Sequence, residues 1–521
     1  MTDSPRPCYF DPSAISASDR QITADVCVYA ATAAGVVAAV TLARRGRSVV
    51  LLNPGRHVGG MTSGGLSYTD LGNKQAIGGS ARRFYRELGD HYQTDEEWCF
   101  EPHVAQTLLQ RWLEDHDIEP IHHCYVDRVE TDGPAIRSAT MLGGLTVRAR
   151  RFIDCSYEGD LMARAGVAFR VGRESNAEFD ETLNGVQLHD KHQFKKPVSP
   201  YHVADDPASG LLPHVSDAEL APLGTGDALI QAYNFRVCVT DRPDLRVPFA
   251  APDGYDADEF ELVARWLQTA TEREVFFKFD PIRQGKFDLN NQGAFSTDYV
   301  GGNHRYPGAS YPERQQIFAD HLRYQMGIHH FMAHDPRVPE GFRQRYATFG
   351  LPRDEFVDTG HWPHQLYVRE ARRLVGGITM TEHHCFGREG CDDAVGMGAY
   401  QMDSHNCQRL VVDGQVKNEG DVQVHLPAPY SISYRAIVPP AGSVENLLVP
   451  VCLSASHIAF GSIRMEPVFM ILAESAAIAA DLSIRDDSPL QELPYDALQQ
   501  ELLAADQVLD GQFENVGAGN P

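Results

Sequence analysis

Hydrophobic and polar positions follow their clearest pattern near the start of the chain, between Asp25 and Asn53. A short valine-rich run, DVCVY, is followed by an alanine-rich run that carries no charge as far as Ala43. Three arginines and a glycine then precede a second apolar run, SVVLL. Short apolar runs are typical of buried strands, and the longer run between them is typical of a helix. The pattern predicts a strand, a tight turn, a helix and a return strand.

A membrane-spanning helix is the alternative interpretation, because residues 26–43 are uncharged and approach the required length. The segment contains mainly alanine, threonine and glycine in place of leucine and isoleucine, and the return strand follows directly. We therefore favour a buried strand–turn–helix unit.

Further elements are predicted from the same kind of pattern. Helices are expected over 101–115 and 468–482, and strands over 147–155 and 444–451. Residues 362–377 have a helix-like pattern, whereas 397–409 are expected to be irregular.

The turn after the first strand has the position of a dinucleotide-binding fingerprint but not its full composition. In the pattern G-x-G-x-x-G the glycines would fall on Ala30, Thr32 and Gly35, so only the last is present. Such a turn brings the backbone close to a pyrophosphate at the helix N-terminus. Alanine is tolerated there where φ is negative. The cofactor-binding candidates of this turn are Ala30, Thr32, Ala34 and Gly35.

Asn53 ends the second strand, at the position where an acidic residue would hold a ribose diol. Its amide can both donate and accept hydrogen bonds. The loop that follows, RHVGGMTSGGL, has two Gly-Gly pairs, which indicates a close backbone approach or positive φ. Its candidates for cofactor contact are Arg56, Gly59, Gly60 and Met61.

A second strand–loop–helix unit lies near the end of the chain. Pro467 favours the first turn of a helix, so this helix is expected to begin near Arg464 to Pro467. Its positive dipole end would stabilise negative charge on a bound cofactor. Arg464 and Met465 are therefore further candidates for cofactor contact.

Composition narrows the classes of partner and compartment. The net charge of −25 argues against nucleic acid, which is bound through Lys and Arg. The first twenty residues have no apolar core, so we expect no signal peptide and no membrane contact. Ten scattered cysteines without a C-x-x-C pair predict reduced thiols in the cytoplasm. The His383-His384-Cys385 run with Cys391 fits no common zinc spacing, so no metal is expected.

Together these segments resemble the FAD-dependent oxidoreductases with a glutathione-reductase-type fold and a Gly-Gly-Met loop, a family whose members also carry the label "xanthan lyase". The resemblance runs from about Asp25 to about Asp481. It is carried by GRHVGGMTSGGLSYTD, SYEGDLMARAGV, WPHQLYVREARRLVGG and NLLVPVCLSASHIAFGSIRMEPVFM. The chain departs from the family pattern at Ala30, Ala31 and Asn53.

The resemblance implies FAD as cofactor and an α/β fold, in which a discontinuous Rossmann-like FAD-binding domain carries an inserted α+β substrate or cap domain. We expect a flexible lead-in over 1–19, the two parts of the FAD-binding domain over 20–185 and 395–485, and the cap over 186–394. A helix and tail would occupy 486–521.

Histidine titrates near working pH, so His405 and His457 are the candidate bases, with a purely structural role as the alternative for each. Arg369 is expected to face inward after an apolar run, whereas Arg372 and Arg373 are expected on a solvated helix face. With Arg435 and Arg464, Arg369 would clamp a substrate carboxylate or an anionic intermediate, and structural ion pairs are the alternative. Tyr434 is a candidate that the resemblance implies.

The Gly-Gly loop lacks paired cysteines, and no second glycine-rich unit occurs mid-chain to bind NADPH. We therefore expect a small hydroxylated or carboxylated metabolite, carbohydrate-derived compounds included, to be oxidised by hydride transfer to FAD. Oxygen or another acceptor would reoxidise the flavin.

One alternative is a flavin monooxygenase fed by an external reductase. Another is a flavoprotein that binds or modifies RNA, which would need a basic groove.

Overall fold

The computed structural model describes residues 6–271 and 277–511. The α-helices are α1 (Ala33–Arg44), α2 (Gly60–Ser63), α3 (Gly79–Tyr92), α4 (Pro102–Glu114), α5 (Asp160–Arg164), α6 (Asn176–Phe179), α7 (Glu261–Leu267), α8 (Tyr311–His334), α9 (Glu340–Tyr346), α10 (Glu382–Cys385), α11 (His457–Ile463), α12 (Glu466–Arg485) and α13 (Tyr495–Ala504).

The strands are β1 (Gln21–Tyr29), β2 (Val49–Leu52), β3 (Val126–Asp132), β4 (Ala135–Met141), β5 (Thr146–Asp154), β6 (Phe169–Arg170), β7 (Val237–Thr240), β8 (Arg246–Val247), β9 (Phe277–Pro281), β10 (Lys286–Asn291), β11 (Leu351–Pro352), β12 (Arg373–Leu374), β13 (Ala394–Gly398), β14 (Met402–Ser404), β15 (Gln408–Val412), β16 (Gln415–Glu419), β17 (Val422–Val424), β18 (Tyr430–Ser433) and β19 (Leu447–Leu448).

A mixed sheet with the order β2-β1-β5-β4-β3 forms the centre of the fold. Strand β1 is parallel to β2 and to β5, whereas β3, β4 and β5 form an antiparallel meander. The late strand β19 pairs in parallel with β5, with Leu447 opposite Phe152. The predicted strand–turn–helix–strand unit is confirmed, and both ends of the chain contribute to one α/β sheet, as the discontinuous Rossmann-like fold requires.

Helices α1 and α12 pack against each other beside this sheet. The uncharged segment is therefore a strand and a buried helix, which confirms the preferred interpretation. By length and composition α12 could span a membrane, but its whole apolar window is buried inside the protein. Its start at Glu466 confirms the helix start predicted from Pro467.

Two predictions of local structure were wrong. Residues 362–377, all of them described, contain no α-helix, and the short strand β12 pairs with β6 there. Residues 397–409 were expected to be irregular, but they contain strand residues that pair with β16, β17 and β18. The partners of β12, β13 and β14 are 18 or more residues away in sequence, and a local pattern does not report them.

The start of the chain contacts the body of the protein. The side-chain oxygen of Gln315 accepts hydrogen bonds from the backbone N–H groups of Tyr9 and Phe10, at 2.8 and 2.9 Å. Phe10 is buried and packs on the rings of Tyr125 and Tyr311. Residues 9 and 10 of the expected flexible lead-in are thus held in place, while residues 1–5 lie outside the described part.

Helix α1 begins against the end of β1 with little space between the two. A Cβ atom added to Gly35 would lie 1.9 Å from the carbonyl oxygen of Ala30, far inside van der Waals contact. This oxygen belongs to the backbone and has no flexible side chain that could move away.

We expect Gly35→Ala to destabilise the fold by about 1–3 kcal/mol or more, because the helix must move away from the strand. Thermal unfolding and retention of flavin after gel filtration measure the effect. Gly341→Ala is the matched control, since Gly341 lies in the first turn of α9 with no heavy atom within 4 Å of an added Cβ. Equal stability of the two variants would contradict the close-packing argument.

Candidate functional site

The turn between β1 and α1 is held by Thr32 and strained at Ala30. The Thr32 hydroxyl accepts a hydrogen bond from the backbone N–H of Gly35 at 3.2 Å and donates one to the carbonyl of Cys155 at 2.9 Å. Thr32 is therefore the N-cap of α1. Ala30 has φ of +75°, so it does not have the negative φ at which alanine was expected to be tolerated. A left-handed alanine costs about 1–2 kcal/mol.

A cavity of 380 Å³, here called the cofactor cavity, opens beside this turn. It is lined by residues 30–32, 53–57, 156–158 and 364–366, together with Gly60, Tyr9 and Phe318. Its volume is within the range of small-molecule sites. Thr32, the N-cap of α1, lies in its wall, and a helix N-terminus offers an anion backbone N–H groups and a positive dipole end.

Asn53 ties two walls of the cofactor cavity together. Its side-chain oxygen accepts a hydrogen bond from the backbone N–H of Ala31 at 3.2 Å, and its amide nitrogen donates to the carbonyl of His57 at 2.9 Å. Arg56 is half-exposed and its guanidinium bonds to Asp358. The amide at this position thus supports the turn that precedes α1.

The Gly-Gly loop docks on the same turn. Gly59 and Gly60 have φ of +104° and +54°, which confirms the expected positive φ. The backbone N–H of Gly59 donates to the carbonyl of Ala31 at 2.8 Å. The backbone N–H of Met61 donates to the Tyr157 hydroxyl at 2.9 Å. A Cβ atom at Gly60 would lie 2.3 Å from this hydroxyl, so the close approach requires glycine.

Glu466, the first residue of α12, links the C-terminal helix to this loop. The sequence analysis did not predict it as a site residue. Its carboxyl accepts hydrogen bonds from the Thr62 hydroxyl at 2.6 Å and from the Tyr157 hydroxyl at 2.8 Å. Burial raises the pKa of Glu466 to about 7. A glutamate directly before Pro467 was the available signal, since acidic residues favour the first turn of a helix. Its neighbour Met465 is the buried N-cap residue of α12, and Ala34 is buried in the first turn of α1.

A second cavity, here called the polar cavity, has a volume of 360 Å³. Its walls include Asp70, Arg236, Tyr367, Arg369, Asp403 and His405. His364, Gln365 and Leu366 line the cofactor cavity, whereas Tyr367 and Arg369 line the polar cavity. The two cavities therefore share the segment at Leu366 and Tyr367 as part of their walls, and Tyr367 forms a bridge with Asn234.

His405 lies between two carboxylates in the polar cavity. Its Nδ1 is 2.7 Å from Asp298, and its Nε2 is 3.6 Å from Asp403. Burial and the Arg369 guanidinium lower the pKa of His405, but Asp298 and Asp403 outweigh them, so the pKa is raised above its usual value. The sequence analysis did not predict Asp298 as a site residue, because it lies 107 residues from His405 and no local pattern connects the two.

Arg369 and Arg464 are both buried close to the polar cavity, and the inward orientation predicted for Arg369 is confirmed. Arg369 donates to Asp298 at 3.0 Å and to the carbonyl of Ala232. Arg464 donates to the Tyr367 hydroxyl at 2.9 Å and to Asp403. The prediction that Arg372 and Arg373 lie on a solvated helix face was wrong. Their side chains are largely buried against Asp160 and Glu174.

The other catalytic candidates lie outside the linings of both cavities. His457 is buried, with Nδ1 2.9 Å from Glu370 and Nε2 3.0 Å from the Ser404 hydroxyl. The Tyr434 hydroxyl donates to the carbonyl of Leu490. Arg435 is half-exposed and pairs with Asp392 and Asp393. The structure therefore brings Arg369, Arg464 and His405 together, but not Tyr434 and Arg435.

Among the described residues, Glu101, His103 and Glu355 have ligand atoms close enough to share a metal ion. The buried ammonium group of Lys286 already lies 2.7 Å from Glu101 and 2.6 Å from Glu355. A fixed cation therefore already compensates these carboxylates.

The buried Glu466 makes stability depend on pH. Its folded pKa of about 7 exceeds the ordinary value of 4.5, so the folded state retains a proton that the unfolded chain releases, and stability falls as pH rises between these values. We expect Glu466→Gln to equal the parent near pH 5 and to be more stable at pH 8, by up to roughly 3 kcal/mol. Thermal unfolding at the two pH values measures this. Glu492→Gln, at an exposed position, should show no such difference, and a pH-independent effect of Glu466→Gln would contradict the assignment.

Comparison with known proteins places these features in a family. The sequence model of the FAD dependent oxidoreductase family matches residues 25–502. No protein with a curated description matches the chain.

Solved structures with partial similarity include an oxidized steroid monooxygenase bound to NADP, with 18% identity over 26% of either chain and a TM-score of 0.19. L-proline dehydrogenase from P. horikoshii has 11% identity over 30% of this chain and 59% of its own, with a TM-score of 0.25. A thioredoxin reductase from Streptococcus pyogenes has 18% identity over 26% of this chain and 35% of its own, with a TM-score of 0.18. The chain thus spans about a quarter of the length of the monooxygenase.

The family match covers most of the chain, including the turn before α1, the Gly-Gly loop and helix α12. The chain belongs to the FAD dependent oxidoreductase family.

Proposed function

We propose that the protein oxidises a small polar metabolite, hydroxylated or carboxylated, that binds in the polar cavity. The FAD would occupy the cofactor cavity. The backbone at Ala30 to Thr32 and the N-terminus of α1 would hold its pyrophosphate, and the Gly-Gly loop would contact the rest. The fit is supported by the lining of the cofactor cavity, which includes the turn at Ala30 to Thr32 and Gly60 of the loop, whereas Arg464 and Met465 do not line it.

The observation that carries this proposal is the wall that the two cavities share. Leu366 lines one cavity and Tyr367, the next residue, lines the other. Close and oriented placement of two reactants is the main requirement for transfer between them.

We assign the proton acceptor to His405. Donation of its Nδ1–H to the Asp298 carboxylate, 2.7 Å away, fixes the tautomer in which Nε2 has a free lone pair. Nε2 is 3.6 Å from Asp403, beyond a normal hydrogen bond, so a substrate hydroxyl can reach it. When bound, FAD would accept a hydride from the substrate carbon that bears the hydroxyl group. Nε2 of His405 would take the hydroxyl proton, and the substrate would become a carbonyl compound.

A cytoplasmic location is part of the proposal. All ten cysteines, each within the described residues, are free thiols. Disulfides are rare in the reducing cytoplasm, and this distribution supports that compartment.

The test of the function is anaerobic reduction of the purified protein. Denaturation should release FAD, and hydroxylated or carboxylated compounds from a panel should bleach the flavin absorbance without added nucleotide. Bleaching by NADPH alone would overturn the proposed source of electrons and favour a monooxygenase or a reductase.

His405→Gln should slow substrate-driven flavin reduction by about 10²–10⁴-fold, because it removes the proton acceptor. FAD content should stay the same, since His405 does not line the cofactor cavity. Stopped-flow absorbance of the flavin measures the rate. An unchanged rate would remove His405 from the chemistry.

The pH profile tests the electrostatic environment of His405. Only the deprotonated histidine accepts a proton, so the rate should rise with pH through its raised pKa. Asp403→Asn removes one of the charges that raise this pKa, and the rising limb should move by about one unit to lower pH. Asp244→Asn, at an exposed ion pair, serves as the control. A limb that stays in place in Asp403→Asn would contradict the assignment.

A further inference from the structure

A segment that precedes β1 forms part of the wall of the cofactor cavity. Residues 6–14 are here called the N-terminal segment, and five of their side chains line this cavity: Arg6, Cys8, Tyr9, Asp11 and Ala14. The same lining includes the turn before α1 and the loop after β2, at residues 30–32 and 53–57. The N-terminal segment therefore borders the space in which we place the dinucleotide.

Gln315 of α8 holds the N-terminal segment through a single side-chain oxygen. This oxygen accepts the two backbone hydrogen bonds from Tyr9 and Phe10, and the Cys8 thiol donates to it at 3.3 Å. Gln315 is not among the residues that line the cofactor cavity. It can therefore affect the cavity only through the segment that it holds.

Aromatic packing holds the same part of the segment. The buried ring of Phe10 has its centroid 4.8 Å from that of Tyr125 and 5.7 Å from that of Tyr311. The Tyr125 hydroxyl donates to the carbonyl of Tyr9, and the Tyr9 hydroxyl accepts a hydrogen bond from Arg314 at 3.1 Å. The segment is thus attached to α8 and to the residue directly before β3, as an ordered wall of the cavity.

The N-terminal segment lies on the side of the cavity that suits the adenosine half of a dinucleotide. In a Rossmann-like unit the ribose binds at the end of the second strand, which is Asn53 in this chain. The backbone N–H of Cys124 donates to the carbonyl of Asn53 at 2.9 Å. The next residue, Tyr125, donates to the segment at Tyr9. Two consecutive residues therefore connect the ribose position with the segment, and Asn53, Tyr125 and Tyr9 all line the cavity.

We infer that the N-terminal segment is part of the FAD-binding site, where it covers the adenosine half of the cofactor and slows its release. The inference rests on the placement of FAD in the cofactor cavity under the proposed function, and it does not depend on the substrate. A ligand that binds better while the segment is attached also stabilises the attachment, because the coupling of two equilibria is reciprocal. Detachment of the segment should therefore weaken FAD binding, and FAD should hold the segment in place.

Gln315→Ala in the full chain tests the first consequence, because it removes the shared acceptor of Tyr9 and Phe10. We expect FAD to dissociate about tenfold faster, since the attached state loses hydrogen bonds that the detached state does not make. The fluorescence of released flavin after dilution of the FAD-loaded protein measures the rate. Gln316→Ala is the matched control: Gln316 is the next residue of the same helix, is exposed and donates to Asp320. It should release FAD at the rate of the parent.

Hydrogen exchange tests the second consequence without any measurement of activity. Addition of FAD to the flavin-free protein should slow the exchange of the Tyr9 and Phe10 amides by about tenfold in the parent, by the same reciprocal coupling. In Gln315→Ala these amides should exchange fast in either state. Phe10→Ala removes the ring that packs on Tyr125 and Tyr311, and it is added where Gln315→Ala alone leaves the exchange slow.

Fast exchange at Tyr9 and Phe10 combined with release of FAD at the parent's rate would overturn the inference, because a detached segment would then make no difference to the cofactor. An absence of flavin bleaching by every hydroxylated or carboxylated compound would refute the proposed oxidation and leave these binding results unchanged. A purified protein that binds no FAD would overturn both.

Discussion

Helix α1 lies so close to strand β1 that only a glycine fits at Gly35, where an added Cβ would meet the carbonyl oxygen of Ala30. This contact sets the position of the helix N-terminus and therefore of the cofactor cavity beside it. The left-handed conformation of Ala30, the cap at Thr32 and the bond from Gly59 to Ala31 all depend on the same turn. If the helix lay further from the strand, all three features would be lost together, because they involve consecutive residues of one turn.

The C-terminal helix completes the arrangement from the other end of the chain. Glu466 binds Thr62 from the Gly-Gly loop and Tyr157 from the segment after β5, and Tyr157 in turn holds Met61. Three segments that are far apart in sequence thus meet at one buried carboxyl group. Because a buried polar network is stabilising only when each member is satisfied, these residues form a unit.

The sequence was sufficient for elements whose signal is local. Unbroken apolar runs predicted β1, α1 and β2, and Pro467 indicated the start of α12. It was not sufficient where a residue depends on a distant partner. Residues 362–377 resembled a helix, but their arginines are buried by Asp160, Glu174 and Asp298 from other parts of the chain. The same reason applies to the site, since the sequence indicated His405 and His457 alike, and only the fold shows that His405 lines the polar cavity beside Asp298.

The segment that separates the two cavities has a consequence for how this fold can diversify. His364, Gln365 and Leu366 line the cofactor cavity, whereas Tyr367 and Arg369 line the polar cavity. Substitutions on one side of this peptide bond can alter what is oxidised while the cofactor keeps its surroundings. A gain or loss of one residue here would move side chains across the boundary and disturb both chambers at once. We therefore expect relatives of this chain to vary in identity along this stretch far more readily than in length.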